Sequence, residues 1–228
     1  HLIKPAGPVD PELFVLSLRH LDGRPLAVLS NYGTHYVGGS RRGHISADYF
    51  GAFATHIAYL LEADRADPPF VGILSNGTSG DVNTIDFTKP RPKGAAPYQR
   101  IKLIAEDIAD SAQGIEDSIQ YHDHVPLAVA NAELTLAVRK PDAALLRWAN
   151  ETYAGEKAPP GKTNLSRQQI YARENLHLSR YPDELSIMLQ VFRIGDLAIV
   201  AVPCETFAET GLDIKEASPF PATFTIEL

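Results

Sequence analysis

Two pairs of apolar runs, each joined across a short Gly/Asp turn, constrain this chain more than any other feature. Leu13 to Arg19 alternates apolar and polar residues, Leu21-Asp22-Gly23-Arg24 supplies a turn, and Pro25 to Ser30 is a second apolar run. Near the other end, Leu185 to Ile194, the turn Gly195-Asp196 and Leu197 to Val202 repeat the arrangement. Such runs flanking a Gly/Asp turn read as β-hairpins. The intervening chain follows a different period. Ser46-Ala47-Asp48 reads as a helix start, after which Phe50, Phe53, Ala54, Ile57, Ala58, Leu60 and Leu61 recur at helical spacing.

The remaining segments complete the pattern. Phe70 to Leu74 is a short buried strand, and Tyr98 to Ile119 is an amphipathic helix with Ile101, Ile104, Ala105, Ile108 and Ala112 on one face. Val125 to Arg139 alternates as a long, half-buried strand. Pro141 to Ala154 opens as a helix with Pro in its first turn, and Ser166 to Ser179 is helical again. Phe207 to Ala217 is a short helix and Ala222 to Glu227 a last strand. Pro90 to Pro97 reads as a surface connection and Glu156 to Thr163 as a flexible break. Hairpins mixed with strand–helix–strand passages predict an α/β fold: a mixed β-sheet core with hairpins, flanked by helices, in a single domain over residues 1–228.

Composition narrows the function classes. At 228 residues and 44% apolar, the chain can bury a core without staples. A formal net charge of −7 provides no basic field for nucleic acid or anionic lipid headgroups. No apolar run approaches the roughly 20 residues of a membrane span. The single cysteine, Cys204, excludes an intrachain disulfide and thiolate zinc clusters, and its place after an apolar strand reads as a small buried thiol. Asn-x-Ser/Thr triplets at Asn76, Asn150 and Asn164 read as chance occurrences. The chain opens at His1 without Met and closes within a strand-like run at Leu228, so both ends read as cut. The pattern specifies no oligomeric state, and one thiol carries no signal of compartment.

Three apolar strands end in small and polar residues rather than in plain turns, where ligand-binding groups collect in α/β folds. The first delivers Asn31 and His35, then Gly38-Gly39 and His44 to Asp48. A neutral imidazole there is a ready zinc ligand, although local pattern alone favours a structural histidine bonded to a loop carbonyl. The second runs into Asn76-Gly77-Thr78-Ser79-Gly80-Asp81-Val82-Asn83. Its backbone N–H groups can form an anion or oxyanion site; the alternative is a capped turn rich in Asx motifs. It lacks the Gly-Lys-Ser/Thr of a phosphate loop and the Gly-x-Ser-x-Gly frame of a nucleophile elbow, so a serine hydrolase using Ser79 has no motif behind it. The third carries Pro203-Cys204-Glu205-Thr206, in which Glu205 serves as metal ligand, general base or N-terminal helix charge. His122 and His124 read as a solvated connection, and His56 and His177 as packing or surface residues without a carboxylate in register.

Taken in order, Asn31-Tyr32-Gly33-Thr34-His35, Ile45-Ser46-Ala47-Asp48, Ser75-Asn76 with Gly80-Asp81-Val82-Asn83, and Pro203-Cys204-Glu205-Thr206 resemble the N-terminal catalytic domain of the neutral/alkaline, non-lysosomal ceramidases. The resemblance spans nearly the whole chain and implies a zinc-dependent hydrolase whose metal-activated water attacks an N-acyl bond. It implies His35 and Glu205 as ligands of Zn2+, and Asn76, Asp81 and Asn83 as the catalytic loop. It also implies a small-molecule or lipid-like substrate, a place in sphingolipid metabolism, and a secreted or periplasmic bacterial protein. The sequence departs from the family in three ways. His35 precedes Tyr36 rather than Pro, Asn83 stands where the family has its catalytic Ser, and the family's second His and Tyr ligands have no counterpart in the chain. Asn83 also admits a non-catalytic relative that binds a lipid or glycan.

Overall fold

The computed structural model describes residues 3–89, 95–153 and 165–227. The Glu156 to Thr163 break, Asn164 of the third triplet and residues 90–94 of the Pro-rich connection lie outside them. Two compact units divide the chain, residues 1–131 with 189–228, and residues 132–188.

In the larger unit, β1 (Leu13–Arg19) and β2 (Pro25–Tyr32) form the first hairpin. The chain then passes through helix α1 (Asp48–Leu60) to β3 (Val71–Asn76), which pairs parallel with β2. A parallel pair needs such a crossover, because the chain must return to the same end of the sheet. The second sheet repeats this connectivity without any sequence repeat. Strands β5 (Glu184–Ile194) and β6 (Leu197–Val202) form the second hairpin, and helix α5 (Ala208–Ala217) leads to β7 (Ala222–Glu227), parallel to β6. The sheet orders are β1-β2-β3 and β4-β5-β6-β7, where β4 is Leu127–Ala137. The mixed α/β architecture with hairpins and flanking helices is therefore as expected.

The core of this unit forms where α1 and helix α2 (Gln99–Glu116) pack on the three-stranded sheet. Tyr49, Phe53 and Ile57 of α1 meet Ile101, Ala105, Ala109 and Ala112 of α2, with Val28 and Leu74 from the strands. Alanines at helical spacing let the two helices approach closely while the β-branched and aromatic side chains fill the interior. Among the described residues, no helix is long and apolar enough to cross a membrane.

Three expectations of burial are corrected. Phe70 to Leu74, expected as a short buried strand, contributes Val71 to Leu74 to β3, with Val71 and Ile73 exposed and only Leu74 of that stretch buried. Every residue of β4 is exposed, although its alternation predicts a half-buried strand. It is the outer strand of its sheet, so period two set its conformation without any described element covering its apolar face. Cys204 is exposed rather than buried, because β6 stops at Val202 and the chain bends outward, Cys204 N–H bonding the Val202 carbonyl at 2.9 Å.

The smaller unit pairs helices α3 (Ala143–Tyr153) and α4 (Arg167–Leu178) around fully buried Ala149 and Ala172. Ser166 caps α4 reciprocally: its hydroxyl accepts from Gln169 N–H at 3.3 Å, and Gln169 Oε1 accepts from Ser166 N–H at 2.8 Å. Such capping boxes satisfy two of the N–H groups a helix start leaves open. Ser166→Ala is expected to destabilise this unit by about 1 kcal/mol, read as a lower urea midpoint.

Candidate metal and catalytic site at the strand ends

The two candidate ligands leave equivalent places in the shared connectivity. Both β2 and β6 lie between an antiparallel and a parallel neighbour, and His35 and Glu205 follow their C-terminal ends. Crevices outside the carboxyl ends of strands are where α/β folds hold ligands. The β2–β3 register runs to Tyr32 opposite Asn76, so both strands open into their loops together. Asn31 ties the two sheets at this end, its Nδ2 donating to Ser75 Oγ at 3.0 Å and to the Thr225 carbonyl at 2.9 Å.

His35 is held from three sides. Its N–H donates to the Val82 carbonyl at 3.2 Å, and the buried Tyr49 hydroxyl donates to the Thr34 carbonyl at 2.7 Å. Burial raises the Tyr49 pKa, so the phenol remains a donor. On the far side, the Asp48 carboxylate accepts from Val37 N–H at 2.9 Å and Gly38 N–H at 2.7 Å. Asp48 itself sits at φ 50, a left-handed conformation that costs a non-glycine residue about 1–2 kcal/mol. The loop around His35 is thus bound to the start of α1 by the residues that begin that helix.

His35 and Glu205 meet. Nε2 of the imidazole lies 3.2 Å from Glu205 Oε1, with the His side chain 24% and the Glu side chain 54% exposed. His35 Nδ1 is buried without a hydrogen-bond partner. The helix-charge alternative for Glu205 is filled by other residues. Glu209 is the acidic residue in the first turn of α5, and the N–H of Ala208, its first residue, donates to Asp81 Oδ1 at 2.9 Å. An anion at a helix start offsets the partial positive charge of its open N–H groups.

The loop from Asn76 to Asn83 divides into an inner and an outer half. Asn76 is buried, its Nδ2 donating to Ser79 Oγ at 2.8 Å, which also leaves no surface for its Asn-x-Ser/Thr triplet. Ser79 is 1% exposed and its hydroxyl donates to Glu227 Oε1 at 2.9 Å, so it has no approach to a substrate. Asp81 and Asn83 are exposed. Asn83 Oδ1 accepts from Ile85 N–H at 3.0 Å, and the residue lines a cavity of about 570 Å³ together with Thr34, Leu13, Ile104 and Asp86. The Asp86 carboxyl is held down at about 2 by hydrogen bonds from the Thr88 hydroxyl and from Lys89, so it is ionised and paired with the Lys89 ammonium at 3.0 Å.

Two features escaped the sequence. Glu227 reads as part of an apolar strand, yet with Thr223 and Thr225 it makes a buried polar row at period two, which was its only signal. His56 finds its carboxylate on the neighbouring helix, with Nε2 3.2 Å from Asp110 Oδ1, a pairing that no spacing within α1 could reveal. His122 and His124 lie exposed in the connection before β4, as the polarity of that segment suggests.

His35 and Glu205 could hold one side of a metal ion, since an imidazole nitrogen and a carboxylate oxygen lie 3.2 Å apart. A catalytic zinc normally takes three protein ligands. Among the described residues, no group of three or more His, Cys, Asp and Glu side chains comes together to hold a metal.

An α/β fold with its polar loops gathered at the ends of parallel strands defines the class of structure, and solved structures of the same fold exist. The chain aligns with a neutral ceramidase from Pseudomonas aeruginosa at a TM-score of 0.60 and 16% identity, covering 96% of this chain and 39% of that one. It aligns with a ceramidase complexed with C2 at a TM-score of 0.63 and 16% identity, covering 96% of this chain and 41% of that one. At such identity the likeness concerns the fold, and the chain spans about two fifths of either protein. No protein-family model and no curated protein matches the sequence.

Proposed function

We propose that this chain is the core of a single ceramidase-like domain whose complete form is a metal-dependent hydrolase of N-acyl bonds. The observation that carries the proposal is the 3.2 Å approach of His35 Nε2 to Glu205 Oε1 at two strand ends of equivalent connectivity. The ceramidase fold of the aligned structures supports it. Zinc is the metal we assign, with the remaining ligands supplied from outside the described residues. When bound, it supplies Lewis-acid polarisation of a carbonyl and lowers the pKa of a bound water.

The chain's own residues have separable roles in this reading. His35 offers Nε2 as a ligand atom, oriented by Tyr49 and Val82 through its backbone. Glu205 offers a carboxylate at the solvent edge. Asn83 has Oδ1 engaged by Ile85, which leaves Nδ2 as the end with hydrogens for a developing oxyanion. An amide is not a nucleophile or a proton shuttle, so Asn83 binds rather than transfers. Asp81 acts indirectly, by anchoring α5 behind Glu205. The adjoining cavity, apolar at Leu13 and Ile104, suits the body of a lipid-like substrate.

The test is metal content of the full-length protein alongside His35→Ala and Glu205→Ala. Each variant is expected to bind zinc more weakly by at least the ~10–100-fold that loss of a supporting residue alone costs. If both retain stoichiometric metal, the assignment is wrong. Asn83 favours one other reading, a domain that binds a lipid or glycan without turning it over. In that case Asn83→Ser gains no amidase activity in a protein that still binds its ligand.

A further inference from the structure

We propose that Glu227 is a positioning residue, a buried carboxylate that clamps the Ser79 loop to the Thr206 loop and thereby aims Glu205 at His35. The inference rests on the metal-site reading above for its functional meaning, and on geometry alone for the clamp.

Glu227 is the last described residue of β7 and is 5% exposed. One carboxylate oxygen accepts from Ser79 N–H at 2.7 Å and Ser79 O–H at 2.9 Å, and the other accepts from Thr206 N–H. The Ser79 hydroxyl already accepts from Asn76 Nδ2, so its proton points to Glu227. Three donors converge on the group, and only a carboxylate offers acceptors to all of them. A buried charge that is not so satisfied would be strongly unfavourable.

The second contact sets a catalytically relevant direction. Thr206 N–H belongs to the peptide group that begins at the Glu205 carbonyl, so fixing it fixes the plane from which the Glu205 side chain departs. The next carbonyl, of Thr206, accepts from Gly80 N–H at 2.7 Å. A Cβ at Gly80 would lie 3.0 Å from the carbonyl oxygens of both Glu205 and Thr206, so glycine is needed for the loops to close. Glu227 therefore stands at the buried end of a zipper whose exposed end is Glu205.

The chain carries its own reporter, because its only cysteine is exposed Cys204, adjacent to Glu205. A nitroxide on Cys204 reads the order of this loop by electron paramagnetic resonance in metal-free protein. Glu227→Gln places an NH2 group against one side of the donor triad and must leave a donor unpaired. Glu227→Asp keeps both oxygens one methylene short. The Gln variant is expected to show a mobile spectral component severalfold larger than the unsubstituted protein, with Asp intermediate. Glu116→Ala, destabilising but distant, should leave the spectrum unchanged, which separates positioning from general loss of stability. Unlabelled Glu227→Gln should bind zinc about 10–100-fold more weakly, as for other residues that orient ligands.

A Cys204 spectrum that Glu227→Gln leaves unchanged overturns the clamp. A spectrum that loosens as much in Glu116→Ala overturns it as well, since the effect would then be global. A loosened loop in a protein that never binds zinc sustains the clamp and defeats the metal-hydrolase reading instead.

Discussion

Glu116→Ala is expected to lower the stability of the protein by about 1–3 kcal/mol, the usual consequence of taking the acceptor away from several hydrogen-bond donors gathered on one buried carboxylate. Glu116 ends α2 and is only 1% exposed. Its Oε1 accepts from Arg19 Nε at 3.1 Å, from Arg19 Nη2 at 2.7 Å and from Ser17 Oγ at 3.0 Å, while Oε2 lies 2.8 Å from Arg19 Nη2. The Tyr121 hydroxyl also donates to Oε1, and the Arg19 guanidinium lies 4.5 Å from the Tyr121 ring centroid. Alanine would leave the Arg19 guanidinium and the Ser17 and Tyr121 hydroxyls without their shared acceptor, and the partly exposed Arg19 and Tyr121 would recover water only in part. Urea unfolding measures the loss; a change under about 1 kcal/mol would mean the cluster is hydrated rather than buried.

The same cluster predicts a pH dependence. Burial alone would raise the Glu116 pKa, but hydrogen bonds from Tyr121, Arg19 and Ser17 together hold it below the usual value. On acidification the unfolded chain then takes up this proton before the folded protein does. Stability from Glu116 is whole above the ordinary glutamate range and declines as pH falls through it toward the folded-state pKa. Glu116→Gln should flatten that part of the stability profile. A profile that stays equally steep places the acid-sensitive group elsewhere.

Gly211→Ala is the second substitution with a large expected effect, and its sign opposes helix propensity. Gly211 lies inside α5, where alanine is ordinarily favoured by about 1 kcal/mol. Here a Cβ would fall 2.0 Å from Thr78 Oγ1 and 3.0 Å from Thr78 Cβ. Thr78 is 1% exposed and cannot swing into solvent. Overpacking of this kind typically costs about 1–3 kcal/mol, and it would push α5 away from the loop that Glu227 and Asp81 hold against it. Thr78 Oγ1 has no hydrogen-bond partner, so Thr78→Ala loses no such bond. The pair Thr78→Ala with Gly211→Ala should therefore recover most of the loss, giving a coupling that a double-mutant cycle measures. A single Gly211→Ala that stabilises the protein would show that α5 does not approach the loop so closely.

These predictions concern contacts between distant segments, and that is where the sequence fell short. The hairpins were readable because a Gly/Asp turn and apolar strands are local features, and both recur at β1–β2 and β5–β6. The apolar face of α2 was readable for the same reason, and Ile101, Ala105, Ile108 and Ala112 are buried as their spacing requires. The β4 alternation was equally clear and misleading, since period two records a strand with an apolar face but not whether anything covers it. Cys204 failed similarly: one residue past the end of an apolar run, the chain had already turned outward.

Local periodicity by itself thus determined the element types, their order, the mixed α/β class, and the three polar strand ends at His35, Asn76 to Asn83 and Glu205. Tertiary structure alone decided that His35 lies beside Glu205, that Asp81 anchors α5, and that Glu227 receives Ser79 and Thr206. The physical reason is that backbone period and side-chain polarity are properties of a segment. A hydrogen bond or ion pair between loops is specified only after packing has removed both partners from water and left each needing the other.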